Sequence, residues 1–208
     1  MTCSAKSDPW LTAWMPRIRN LSLDEPVLEL GCGKGRDTAT LCAGGLAVVA
    51  IDISRPSLQQ CARAARRASA VQMDLREPFP FRAMSFWVIV ASLSLHYFSW
   101  TGTKGAVAEI GRCIRPGGLL LARFNSTNDI HHGAGVGDEI ESHLFRVGVR
   151  QKRFFDRADV VGLLAGWHIE QLAEQTIHRY VKAKVVWEVA ACPTGGQSRQ
   201  LTASALGA

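Results

Sequence analysis

Between residues 27 and 124, short apolar runs alternate with longer stretches whose apolar positions recur at helical spacing. Val27, Leu28 and Leu30 form the first run. Leu46–Ile51, Ala70–Met73, Phe86–Ala91 and Leu119–Ala122 form the next four, the last extending to Phe124. Phe86–Ala91 is apolar throughout, as a central parallel strand covered on both faces requires. Helices are predicted to open at Arg36–Leu41, to run from about Arg55 to Ala68, and to run from Ala106 to Ile114 before the Pro116–Gly117–Gly118 turn. Strand and helix in strict alternation predict an α/β fold with a parallel sheet.

The flanks read differently. Asp8 and Pro9 predict a helix start, a capping carboxylate followed by proline in the first turn. Trp10, Leu11, Trp14 and Ile18 then recur at helical spacing. This helix, over residues 8–22, either packs its stripe on the domain or forms a lid whose Trp10 or Trp14 borders a ligand pocket. After the fifth strand, residues 125–137 (NSTNDIHHGAGVG) are polar, turn-rich and too long for a mere connection. A short helix is expected over Asp138–Phe145. Arg146, Arg150, Lys152, Arg153 and Arg157 follow, mixed with Phe154 and Phe155. Residues 125–155 thus read as an insertion on the substrate side. Asp156 caps a helix through Leu164, stopped by Gly166. Trp167–Ile177 and Val181–Ala191 read as two last strands, and their short His178–Arg179–Tyr180 link implies an antiparallel hairpin. Residues 1–192 are expected to form one domain, and the polar tail 193–208 to be disordered.

The chemistry is concentrated in one stretch, VLELGCGKGRDT (Val27–Thr38). A strand that ends in a glycine turn and feeds a helix presents unpaired backbone N–H groups at the sheet's C-terminal edge, a nucleotide-cofactor site. A dinucleotide-binding turn wants GxGxxG, and its third glycine position here is Arg36. The spacing is instead GxGxG, preceded by Glu29. Asp52 follows Gly31 by 21 residues at the tip of the next strand, where a carboxylate faces the cofactor's ribose hydroxyls; its bland alternative is a helix cap. Asp74, at the end of the third strand, is placed to accept from an adenine amino group while Met73 packs on the ring. The alternative for Asp74 is a solvated loop acid.

These residues resemble motif I of class I S-adenosylmethionine-dependent methyltransferases. The resemblance covers about Pro26 to Ala191 and includes the acidic tips, the Arg115–Gly118 turn and the terminal hairpin. LELGCGKGRD is also similar to the small-molecule branch that includes tellurite-resistance and thiopurine methyltransferases. The resemblance implies a Rossmann-like, doubly wound seven-stranded sheet of order 3-2-1-4-5-7-6 with strand 7 antiparallel, and S-adenosylmethionine as cofactor. It implies that Glu29 sits near the methionine ammonium and that Gly31, Cys32 and Gly33 line the methionine portion. It places Asp52 on the ribose, Ile53 and Leu75 beside the adenine, Asp74 on the adenine amino group and Ser92 at the sulfonium end. Arg36 reaches the methionine carboxylate or forms an ion pair on the helix surface. The Asn/Asp-Pro-Pro-aromatic motif of enzymes that methylate base amino groups is missing at Ser92–Leu95, which points to a small-molecule acceptor. The alternatives are a nucleic-acid or protein methyltransferase using the 146–157 basic run, and a non-catalytic S-adenosylmethionine-binding protein.

Candidate general bases on the same edge are His96, His131, His132 and Asp129, with His96 first because it follows the strand beside the glycine turn. Each has a plain reading: His96 as a packed aromatic, His131 and His132 as solvated loop residues. No ligand spacing predicts a metal site. Composition changes little. A chain of 208 residues with net charge +6 permits an anionic partner without requiring one, and nucleic acid is not expected from a basic run confined to 146–157. Six scattered cysteines without a CxxC pair read as small buried hydrophobes. No secretory or membrane-spanning pattern is visible, so the expected location is cytoplasmic.

Overall fold

The computed structural model describes residues 8–194. In chain order it contains α1 (Trp10–Ser22), β1 (Val27–Leu30), α2 (Arg36–Ala43), β2 (Val48–Asp52), α3 (Arg55–Ala64), β3 (Ala68–Gln72), β4 (Phe86–Ser92), α4 (Trp100–Cys113) and β5 (Ile114–Asn125). Then come β6 (Asp138–Glu141), β7 (Leu144–Val147), β8 (Arg150–Arg153), α5 (Arg157–Leu163), β9 (Trp167–Ile177) and β10 (Lys184–Pro193). The main sheet has seven strands in the order β3-β2-β1-β4-β5-β10-β9. The first five are parallel, and β10 runs antiparallel between β5 and β9. This is the expected order, with β6, β7 and β8 added as a separate three-stranded sheet in the connection after β5.

Alternate residues of each central strand enter opposite layers. Val88 and Val90 of β4 pack with Leu11 and Ile18 of α1, Leu41 of α2 and Leu58 of α3. Ile89 and Ala91 pack with Ile110 of α4, Phe124 of β5 and Val160 of α5. Fully burying an aliphatic side chain is worth about 1.5–3 kcal/mol, so two such layers hold the strand tips rigidly in place. The stripe of α1 lies in the first layer, with Trp10 and Met15 also buried.

Several boundaries differ from the sequence reading. Asp138–Phe145 is not helical: β6 and β7 pair antiparallel, and His143 takes a left-handed φ of 58° at the bend. Glu139 helps fix that bend by accepting from the His143 amide at 2.8 Å. α3 stops at Ala64 because Ala68 is already paired with Val48. α4 starts six residues before Ala106, capped by Ser99, whose hydroxyl accepts from the Gly102 amide at 3.1 Å. β10 begins at Lys184, which leaves Val181 fully exposed in the link. Pro9 rather than Asp8 holds the cap position of α1; the Asp8 carboxylate accepts from the Trp10 backbone and pairs with Arg123 at 2.5 Å. Among the described residues no helix is long and apolar enough to cross a membrane. Cys3 and most of the expected tail lie outside the described residues.

Candidate active site

The glycine turn follows directly from β1. Gly31 and Gly33 have φ of +69° and +53°, a region that costs an L-residue roughly 1–2 kcal/mol. A Cβ on Gly31 would stand 2.3 Å from Ser94 Cβ, so glycine lets the turn press against the segment after β4. A Cβ on Gly33 would meet nothing within 4 Å, so its backbone faces open space. Asp52, at the tip of β2, ties the turn down: its Oδ2 accepts from the Gly33 amide and its Oδ1 from the Ser54 amide, both at 2.8 Å. Each carboxylate oxygen has a second lone pair for a ligand. The cap of α3 is supplied by Ser54, not Asp52.

Two cavities meet at this hydrogen bond. One, of about 280 Å³, is lined by Glu29, Gly31, Cys32, Gly33, Arg36 and Ser92. The other, of about 310 Å³, is lined by Asp52, Ile53, Met73, Asp74 and Leu75. Every residue expected to touch the cofactor therefore borders one of the two. Sequence reasoning missed part of the wall. Arg179 and Tyr180, from the link between β9 and β10, border the first cavity, and Ser94, Tyr97 and Phe98 border the second. The segment after β4 was legible as lying on this edge. The approach of Arg179 depends on how the hairpin folds back, which no local pattern encodes.

A family model described as "Methyltransferase domain" matches residues 27–118. The cypemycin N-terminal methyltransferase of a Streptomyces species is 34% identical over 142 residues, 66% of this chain and 56% of that protein. An S-adenosylmethionine-dependent methyltransferase structure from Methanosarcina mazei superposes with a TM-score of 0.72 at 20% identity, covering 86% of this chain and 97% of that one. The 1,6-didemethyltoxoflavin-N1-methyltransferase of Burkholderia thailandensis, solved with S-adenosylhomocysteine, superposes with a TM-score of 0.66 at 22% identity, covering 88% and 78%. Residues 27–118 thus match a methyltransferase domain, and the fold is that of solved S-adenosylmethionine-dependent methyltransferases. The chain spans about half the length of the curated relatives it matches.

The residues of this cradle fit S-adenosylmethionine. Open space faces Gly33, Asp52 has unused lone pairs, and the buried hydroxyls of Ser92 and Ser94 have no partner. Glu29 is buried, and burial lifts its carboxyl to about 8, with Asp37 and Asp52 adding to the rise and a 2.6 Å bond from Thr38 Oγ1 opposing it. A methionine ammonium beside it would favour the ionised form. Burial also pushes the Cys32 thiol up, which leaves it a packing group. Asp74 is held by Arg76, whose Nε lies 3.0 Å from both carboxylate oxygens and whose Nη2 lies 2.5 Å from Oδ2. That pair draws the Asp74 carboxyl below its usual range.

The proposed bases fall in different settings. His96 is buried against Tyr97, ring centroids 4.0 Å apart, and its Nδ1 has no partner. Burial, with Lys152 and Lys184 nearby, holds it well below the usual imidazole range. His131 is exposed in a short turn, and His132 Nε2 lies 3.2 Å from the Lys182 carbonyl. Asp129 is no free base. It is 1% exposed, accepts from Lys184 Nζ at 2.6 Å and from the Val185 amide at 3.1 Å, and so anchors β10. The basic run is not a uniform solvated face. Arg153 is buried with Glu141 as its ion partner, and Lys152 turns inward to the His132 carbonyl at 2.8 Å. Gln151 and Arg153 donate to the Tyr97 and Phe98 carbonyls at 2.9 and 3.2 Å, clamping the turn that carries His96.

Proposed function

We propose that this protein transfers a methyl group from S-adenosylmethionine to a small-molecule acceptor. The observation that carries the reading is the meeting of two cavities at the Asp52–Gly33 hydrogen bond, one bordered by the glycine turn and the other by the acidic strand tips. In this reading Asp52 accepts from the ribose hydroxyls, and Asp74, Ile53, Met73 and Leu75 hold the adenine. Glu29 and Arg36 flank the amino-acid end, and Ser92 marks the reacting end. Bound there, the cofactor supplies an electrophilic methyl group. The chain's task is to hold an acceptor atom in line roughly 3 Å behind that methyl and to exclude water. In this reading His96, neutral, with an unused Nδ1 and beside Tyr97 of the cavity wall, takes a proton where the acceptor must lose one. His131 is the second choice. Asp8, just before α1, pairs with Arg179 of the cavity wall at 3.1 Å.

N-terminal methylation, the activity for which the cypemycin relative is named, is a second reading. A calorimetric comparison of S-adenosylhomocysteine with NAD, followed by incubation of methyl-labelled cofactor with a metabolite extract, tests the proposal. Binding of the first ligand alone and label in a small product are expected. Preference for NAD, or label only in polymer, would overturn it.

A further inference from the structure

Beside the donor cradle lies a second concentration of charge that the cofactor does not use. Lys184 is 5% exposed and Asp129 1%, and one Asp129 oxygen accepts from Lys184 while the other accepts from the Val185 amide. Lys152, from β8, enters the same volume. Its ammonium donates to the His132 carbonyl and lies 4.8 Å from the Phe154 ring centroid. Lys152 and His96 both feel the Lys184 charge. One carboxylate thus faces two ammonium groups. Burial and Lys184 together press the Lys152 ammonium down to about 8, and Asp129 only partly opposes them. A buried cation without its counter-ion is costly, and a ligand that supplies the counter-ion relieves that cost.

The cluster lies against two residues that wall the cavities. Tyr180, which walls the cavity at the glycine turn, has Lys184 Nζ 5.9 Å from its ring centroid. Tyr97, stacked on His96, walls the adjoining cavity. Four of the six buried polar side-chain atoms without partners among the described residues lie on this edge, Ser92 Oγ, Ser94 Oγ, His96 Nδ1 and Asn125 Oδ1, the other two being Trp10 Nε1 and Ser22 Oγ of α1. A polar ligand would satisfy the first four.

We propose that the methyl acceptor carries an anionic oxygen group, a carboxylate or an ionised hydroxyl, and that Lys152 receives it between Lys184 and His96. The inference rests on the methyltransferase reading above and narrows its substrate class. It also weighs against a peptide amine, whose positive charge the two lysines would repel.

Two measurements test it. In the first, a metabolite extract is divided on an anion-exchange resin and each fraction is incubated with methyl-labelled cofactor. Acceptor activity is expected in the retained fraction, with K152M needing about tenfold more of that fraction for half-maximal labelling and K152R close to wild type. Activity confined to the unretained fraction, or K152M equal to wild type, would overturn the proposal. In the second, the S-adenosylhomocysteine-saturated protein carries lysine labelled at Cε and is titrated by NMR, K152M identifying the resonance. Formate should raise the titration midpoint of Lys152 more than an equal concentration of chloride, and formamide should act no differently from buffer. Equal effects of formate and chloride would overturn it, including where neither fraction yields product. Calorimetry with S-adenosylhomocysteine separates the two readings: no binding removes both, whereas binding without an anion effect removes only this one.

Discussion

At the tips of β1, β2 and β3, each carboxylate is met from nearby: Asp52 by the amides of Ser54 and Gly33, 2 and 19 residues away, and Asp74 by Arg76, 2 residues away. Along the β5–β10 seam, charges pair across long stretches of chain instead. Arg123 holds Asp8 and Glu188, separated from it by 115 and 65 residues, and Lys184 holds Asp129 across 55. The first region is a set of local turns hung on an apolar sheet, and its charges, the buried Glu29 apart, stay near water. The second buries its ions and depends on completed tertiary structure for every partner. Two consequences follow. The donor side should tolerate charge changes in stability while losing ligand, and the seam should lose stability first.

The largest expected effect is therefore at Asp129. D129A leaves Lys184 buried without a counter-ion beside Lys152, and breaking such a pair costs about 3–5 kcal/mol. Thermal unfolding should fall by about 10 °C. A shift no larger than that of a surface substitution would erase the contrast between the two regions.

That contrast also explains what the sequence could reveal. Gly31, Glu29, Asp52 and Asp74 are legible because strand tips and glycine turns obey fixed local spacing; the alternation of runs predicts a parallel α/β core, and the seven-strand order is what the family resemblance implies. The β6–β7 hairpin was read as a helix because DEIESHLF is too short and too polar for periodicity to decide. Its strands are stabilised by pairing with β8 and by the inward Arg153–Glu141 pair. Lys152 and Arg153 looked like part of a solvated run, since nothing local marks which of five neighbouring basic residues turns inward. Asp129 stands among the candidate bases for the same reason: its lysine lies beyond β9.

A smaller effect sharpens the donor side. G31A sets a Cβ at positive φ 2.3 Å from Ser94 Cβ, and should cost roughly 2–3 kcal/mol of stability and about tenfold in S-adenosylhomocysteine affinity. G33A meets no atom, so it should cost only the backbone strain of about 1–2 kcal/mol, with its affinity loss arising from the ligand's side. Equal stability losses would contradict the packing described for the turn.

The smallest effect is a proton. The folded Glu29 carboxyl, at about 8, keeps a proton that the unfolded chain has already released above its usual 4.5. The folded state binds more protons across that window, so this group's contribution falls as pH rises from about 4.5 to about 8. E29Q should flatten that slope. Wild-type S-adenosylhomocysteine binding near pH 7 should release up to about one proton, seen as a dependence of the calorimetric heat on buffer ionisation. Equal slopes in wild type and E29Q would remove the raised carboxyl from the account.

The central claim is that the glycine turn and two acidic strand tips cradle adenosine joined to an amino acid. A crystal structure with S-adenosylhomocysteine tests it most directly. The account predicts the ribose hydroxyls on the Asp52 carboxylate, the adenine between Met73 and Ile53, and the homocysteine chain over Gly31–Gly33. Ligand bound elsewhere while Asp52 and Asp74 point away from an ordered, empty cradle would contradict it.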